Sequence, residues 1–333
     1  MQNNSENSEE KNIELKDLMP GDILIFDGEE DSLISKLIML FTKSTVTHGA
    51  IFMQGGENAA LADSGSDGIN MHLVTSPANA RGVHVRRINK EGGFGEDFDK
   101  VVAPVVDIAR DYTKQGLPYP YSDLVLLAMI IIYKDVSHVS LKQAAVINLL
   151  KLAAAEIKKL LDEKLHDGKH TMVCSSFVYQ CYLDASQNNP DLKINIKNGD
   201  VDPVLKVGKR TVTLLDLYAE HIAEYSGTRS FAMEPPTPVT EPLQNVLEDL
   251  VDTENENHVY LIKNESLSNA IEDFLKSLLK FCGYAAGSVK DLIENAREQQ
   301  AMFITPNDLY CHTTNTVSIG KVPLDRNSDI YNP

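Results

Sequence analysis

Three side chains in this sequence have the types and the order needed for nucleophilic chemistry. Cys174 opens the run "CSSFVYQCYLDA", directly after "HTMV". A cysteine attacks as its thiolate, and the unpaired N–H groups and dipole of a helix start favour that charged form. The run reads as a helix whose buried stripe is Phe177, Val178, Cys181 and Tyr182, with Cys174 in the first turn. Ser175 and Ser176 beside it leave room and offer hydrogen bonds. A lone cysteine of this kind is more often a small core residue, so the reading depends on a base and on a group that orients the base. His48 heads the apolar run "HGAIF" after the polar "TKSTVT". Asp63 lies one expected strand later, in "LADSG", as an acid within an apolar segment. Adjacent antiparallel strands can set such residues opposite each other with Cβ atoms ~5 Å apart. A carboxylate there holds an imidazole in one tautomer. The plainer alternatives are a half-buried histidine at a strand end and an Asp that initiates a Ser-Gly turn.

Other candidates are weaker. His170 is the rival base, but it precedes the nucleophile on the same segment and points away from the attack face. Tyr119 and Tyr121, in "GLPYPYSD", can offer a phenol to the thiolate or to an oxyanion, although tyrosines in a Pro-rich turn usually pack. Asp22 can support the strand that carries His48, or serve only its own turn. Cys311 and His312 are adjacent, and neighbouring side chains point apart. Cys181 falls on the buried side of its helix. The backbone N–H of Cys174 is the expected oxyanion donor.

The 333 residues allow one large domain or two ordinary ones. A net charge of −17 opposes binding to nucleic acid or to an anionic membrane, and membrane contact is left open but not indicated. Four cysteines, at 174, 181, 282 and 311, show neither a CxxC pair nor zinc spacing. Neither a metal nor another cofactor is expected. The sparse cysteine content fits a reducing compartment. The start, "MQNNSENSEEKNIEL", has no basic or apolar signal region, so cytoplasmic synthesis without Sec export is expected, with signal-independent secretion still open.

The elements that must position these residues are legible from periodicity. Strands are expected at 21–26, 47–54, 58–65, 68–74 and 82–88, several of them alternating, with a helix at 32–42. Helices follow at 98–115, 123–134, 140–165 (capped by Ser140) and 265–300. "LVLLAMIIIY" (124–133) is too short to span a bilayer and reads as a buried helix. Residues 303–324 read as a turn and a strand. Residues 1–12 read as a disordered tail, and a mobile Pro-rich, acidic loop is expected near 226–258.

Taken in order, "LMPGDILIF", "STVTHGAIFMQGG", "LADSGSDGINMHLV", "CSSFVYQCYLDA" and the closing "TPNDL" resemble the circularly permuted NlpC-type papain-like family. That family includes YiiX-like proteins and is related to lecithin:retinol acyltransferase. The resemblance covers about 13–186 and 303–325 and leaves 187–302 as a helical insertion. It implies an α+β fold with a permuted papain-like core, an antiparallel sheet packed on helices, and added helical segments. In the permuted order His and the third polar residue precede the Cys helix, as His48, Asp63 and Cys174 do. Two departures stand out. Asp63 is one methylene shorter than the commoner Glu, and the insertion of roughly 110 residues is long. The implied activity is cysteine-dependent hydrolysis of a peptide or cell-wall amide. A thiol acyltransferase or lipid hydrolase acting on amide or ester substrates, and a non-catalytic binding module, are the alternatives.

Overall fold

A computed structural model describes residues 10–65, 68–76, 79–115, 123–162, 174–197, 213–225, 239, 241–251, 265–284 and 287–324. The chain folds as α+β. Six strands, β1 (Ile23–Asp27), β2 (Val46–Gln54), β3 (Ala60–Gly65), β4 (Gly68–Leu73), β5 (Gly82–Ile88) and β6 (Thr316–Pro323), form one antiparallel sheet in the order β4-β3-β2-β1-β5-β6. The period-2 alternation of strand side chains divides the sheet into two faces. Ile23, Ile25, Ile51 and Ala62 turn to α2 (Phe98–Lys114) and α5 (Cys174–Ser186). Leu24, Phe26, Ala50, Phe52 and Leu61 turn to the other side, where Ile13, Leu18 and Val322 cover them. Both faces are buried, which is why β1 and β2 read as nearly unbroken apolar runs.

The third layer is helical. α1 (Leu33–Thr42), α3 (Asp123–Tyr133), α4 (Gln143–Asp162), α6 (Leu214–Tyr225), α7 (Leu243–Glu248), α8 (Glu265–Phe281) and α9 (Val289–Met302) share one apolar core. Leu124 to Tyr133 are all buried in α3, and each large apolar side chain placed there contributes about 1.5–3 kcal/mol. Among the described residues, no helix is long and apolar enough to cross a membrane.

Several boundaries differ from the sequence expectation. The long helix begins at Gln143, because the backbone of Leu141 bridges Val251 and Lys142 N–H donates to the Leu250 carbonyl, so Ser140 is not its cap. The single helix expected at 265–300 is two helices, α8 and α9. Gly283 takes a left-handed φ of +81° after the first, and Ser288 Oγ caps the second through Asp291 N–H. Residues 10–13 already run beside β6, with Asn12 bridging Lys321 and Ile13 N–H donating to its carbonyl. Residues 1–9 of the expected tail lie outside the described residues, as does most of the expected 226–258 loop, within which α7 forms a helix.

"TPNDL" is a helix start rather than a turn leading into a strand. It opens α10 (Pro306–Cys311), with Pro306 at the first helical position, where its missing N–H costs nothing. Thr305 N–H and Oγ1 each reach Asp308 Oδ2 at 2.8 Å, while Asp308 N–H donates to Thr305 Oγ1 at 3.2 Å. Lys134 Nζ reaches the same carboxylate at 2.7 Å and His312 Nδ1 lies 3.1 Å from its other oxygen. Burial works against this charge, but His312 and Lys134 hold the carboxyl far below the usual carboxylate range. The cluster ties α3 to α10 and so fixes the helical layer to the end of the sheet.

Candidate active site

Cys174 is the first residue of α5, a helix that lies across β2 and β3. Its placement is set at both ends. Ser175 Oγ donates to the Ile304 carbonyl at 2.6 Å, and a Cβ on Gly49 would come within 3.6 Å of Ser175 Cα. About two turns past Cys174, the Tyr182 hydroxyl donates to the Gly21 carbonyl at the head of β1. Gly21 adopts φ +87° there, and a Cβ on it would meet Val102 at 3.0 Å. The helix start is therefore pinned beside the strand residue that precedes Gly49, which is His48.

His48 pairs across the sheet with Phe26, and their rings lie 5.6 Å apart between centroids. Its Nε2 lies 2.7 Å from Asp63 Oδ2. Cys174 lies near enough to the ring to raise the His48 pKa. With Nε2 engaged by Asp63, Nδ1 is the nitrogen left for sulfur. Asp63 is not directly opposite His48. The strand register sets it across from Ala50, so the two are diagonal neighbours on one sheet face, a relation that side chains of this length can span. Acid, imidazole and thiol thus share one electrostatic neighbourhood. Burial disfavours the charged ring, but the negative charge of Cys174 and the hydrogen bond to Asp63 outweigh it and push the His48 pKa up to about 10.

Cys174 itself is 1% exposed. Burial alone describes an inert structural cysteine, and only the contact with His48 distinguishes it from Cys181, also buried, whose thiol is pushed well up by burial. All four cysteines are free thiols.

Asp22 stands elsewhere. Its carboxylate takes a two-pronged pair from Arg87, at 2.6 Å and 2.7 Å, and a bond from Met19 N–H at 2.8 Å. It lies four residues before Phe26, the cross-strand partner of His48, which is about 13 Å along the strand. Its role is to hold β5 to the turn before β1, not to line a pocket or an oxyanion site. Tyr119, Tyr121 and His170 lie outside the described residues. His312 is committed to Asp308 and is not placed as a base for Cys174. Cys311 borders a separate surface hollow of about 490 Å³ that also includes Lys43, His138 and Tyr310 and none of the three candidate residues.

Sequence reasoning missed other members of the neighbourhood. Arg81, just before β5, donates to the Asp27 carbonyl at 3.3 Å, lies 3.3 Å from Glu29, and sits 5.3 Å over the Phe26 ring. Burial pulls its pKa down, against the acids Glu29, Cys174, Asp123 and Asp63 that surround it. Burial also pushes the carboxyl of Asp123, the first residue of α3, upward, with His48 opposing. His72 on β4 places Nε2 3.4 Å from Asp63 Oδ1. A loop arginine and the first residue of a helix carry no periodic signal. The alternation of β4 does put His72 and Asn70 on one side, and only the register shows that this is the side of Asp63.

No known protein-family model matches the chain, and no curated protein matches it.

Proposed function

We propose that the protein is a cysteine-dependent hydrolase that cleaves an amide bond, in a peptide or a cell-wall cross-peptide, through a thioester intermediate. The observation that carries this reading is the position of His48, held by Asp63 and close enough to Cys174 for the thiol to raise its pKa. The same order along the chain and the same strand and helix placement support a permuted papain-like core. In the first half-reaction the sulfur of Cys174 attacks the carbonyl carbon. The carbonyl π electrons move to oxygen, to which the Cys174 N–H, unpaired within the helix, can donate a hydrogen bond. His48 then gives its proton to the leaving nitrogen as the C–N bond breaks. In the second, His48 takes a proton from water, which attacks the thioester carbon and releases the acid and the thiolate. Asp63 orients the ring and stabilises its charged form throughout. Arg81 adds a fixed positive charge to a pocket that would otherwise collect Asp63, Asp123, Glu29 and the thiolate. Because the sulfur is buried, the cycle includes a step in which substrate displaces what covers it.

The amide reading is supported over transfer or hydrolysis of lipid acyl groups by the use of α3. Its apolar side chains are all packed into the helical core, which leaves none of them to line an acyl tunnel.

The test is selective labelling. Iodoacetamide at neutral pH is expected to alkylate Cys174 faster than the exposed Cys311, as read by mass spectrometry of the two peptides, and a peptide library is expected to yield a Cys174 acyl-enzyme where lipid esters do not. Equal or slower labelling of Cys174, with no adduct from either substrate class, overturns the reading.

Asp63→Asn is expected to keep the fold and to keep Cys174 labelling at high pH, while turnover near neutrality falls roughly ten- to a thousandfold. The amide no longer stabilises the imidazolium and allows the wrong tautomer. Asp63→Glu restores part of the activity. A pH profile of Asp63→Asn that superimposes on wild type from pH 5 to 9 reduces Asp63 to a turn residue.

A further inference from the structure

The carboxylate of Asp63 has a second oxygen, and it is unexplained. Oδ2 is engaged by His48, whereas Oδ1 is buried and has no hydrogen-bond partner among the described residues. A buried acceptor left without a donor is rare in folded proteins and marks either strain or a working site. On that side stands His72, whose Nε2 is 3.4 Å away, a few tenths of an ångström beyond ordinary N–H···O contact. The two residues are brought together by the sheet. β3 and β4 pair as Leu61↔His72 and Asp63↔Asn70, which makes His72 a diagonal neighbour of Asp63 on the same face. The His72 side chain is 34% exposed on an edge strand.

We propose that His72 is a positioning residue for Asp63: its Nε2–H closes onto Oδ1 of the carboxylate that holds the charged His48, and so keeps Oδ2 turned toward His48. The inference rests on the reading of Cys174, His48 and Asp63 as the reacting set. A carboxylate that is free to rotate about its terminal bond presents Oδ2 to the imidazole only part of the time. A donor on the opposite oxygen fixes the plane, as the outer partners of catalytic and metal-bound groups do. What is needed is a donor at that point, and a neutral ring already supplies it.

The experiment reads the rate of Cys174 alkylation by iodoacetamide at pH 7, by mass spectrometry of the Cys174 peptide. His72→Leu is expected to slow it about fivefold with the melting temperature held within a few degrees. His72→Gln, which keeps an N–H donor at similar reach, is expected to recover most of the rate. In an Asp63→Asn background His72→Leu is expected to add nothing, because it acts through that carboxylate. A wild-type rate in His72→Leu overturns the proposal. So does an unrescued His72→Gln, or a full additional loss in the Asp63→Asn background. If His72→Leu does not fold, His72→Gln against His72→Ala gives the same comparison. Failure of the underlying reading looks different: wild-type Cys174 then labels no faster than Cys311, whatever stands at position 72.

Discussion

Cys174→Ala is expected to abolish amide turnover, by at least ~10⁴-fold, because the proposed acyl intermediate forms on its sulfur. The variant stays folded. Losing one buried sulfur leaves a small cavity and costs about 1–2 kcal/mol, less than a typical domain's total stability. The helix start keeps its other supports, the Ser175 bond to Ile304 and the packing of Phe177 and Val178. Two measurements check this together. Turnover and Cys174 labelling disappear while the circular dichroism spectrum and Cys311 labelling persist. Retained turnover in the folded variant removes Cys174 from the chemistry. A variant that fails to fold makes it the core residue that its 1% exposure also allows.

His48→Gln carries the second large effect, a fall in turnover of roughly 10²–10⁴-fold, the usual contribution of a positioned general base and acid. It also has a signature in stability. The folded state raises the His48 pKa from 6.5 to about 10, with burial opposing and Cys174 and Asp63 prevailing. A group raised in this way binds its proton more tightly in the folded chain than in the unfolded one. Its stabilisation is complete below pH 6.5 and is lost as pH rises through about 10. The gap in melting temperature between wild type and His48→Gln is therefore widest near pH 6 and narrows toward pH 10. A gap that is flat from pH 6 to 10, or one that widens, contradicts a charged His48 in the folded protein.

The sequence by itself determined the α+β class, the strands of the sheet and the burial of the 124–133 helix. Each of these depends on local periodicity, and apolar spacing near 2 or 3.6 residues reports which face is removed from water whatever the neighbours are. It also singled out Cys174, His48 and Asp63, since a thiol at a helix start, an imidazole at a strand head and an acid in an apolar strand are local anomalies. Tertiary structure alone decided what those anomalies do. Register placed Asp63 opposite Ala50 and diagonal to His48, and set His72 behind it. Chain closure brought Arg81 and Asp123, 42 positions apart in the sequence, into the same electrostatic neighbourhood. It also drew Asp22 away to Arg87, and Asp308 to Lys134 and His312. A carboxylate's role depends on which donor reaches it, and here those donors come from strands and helices remote in sequence, where spacing along the chain carries no information about distance.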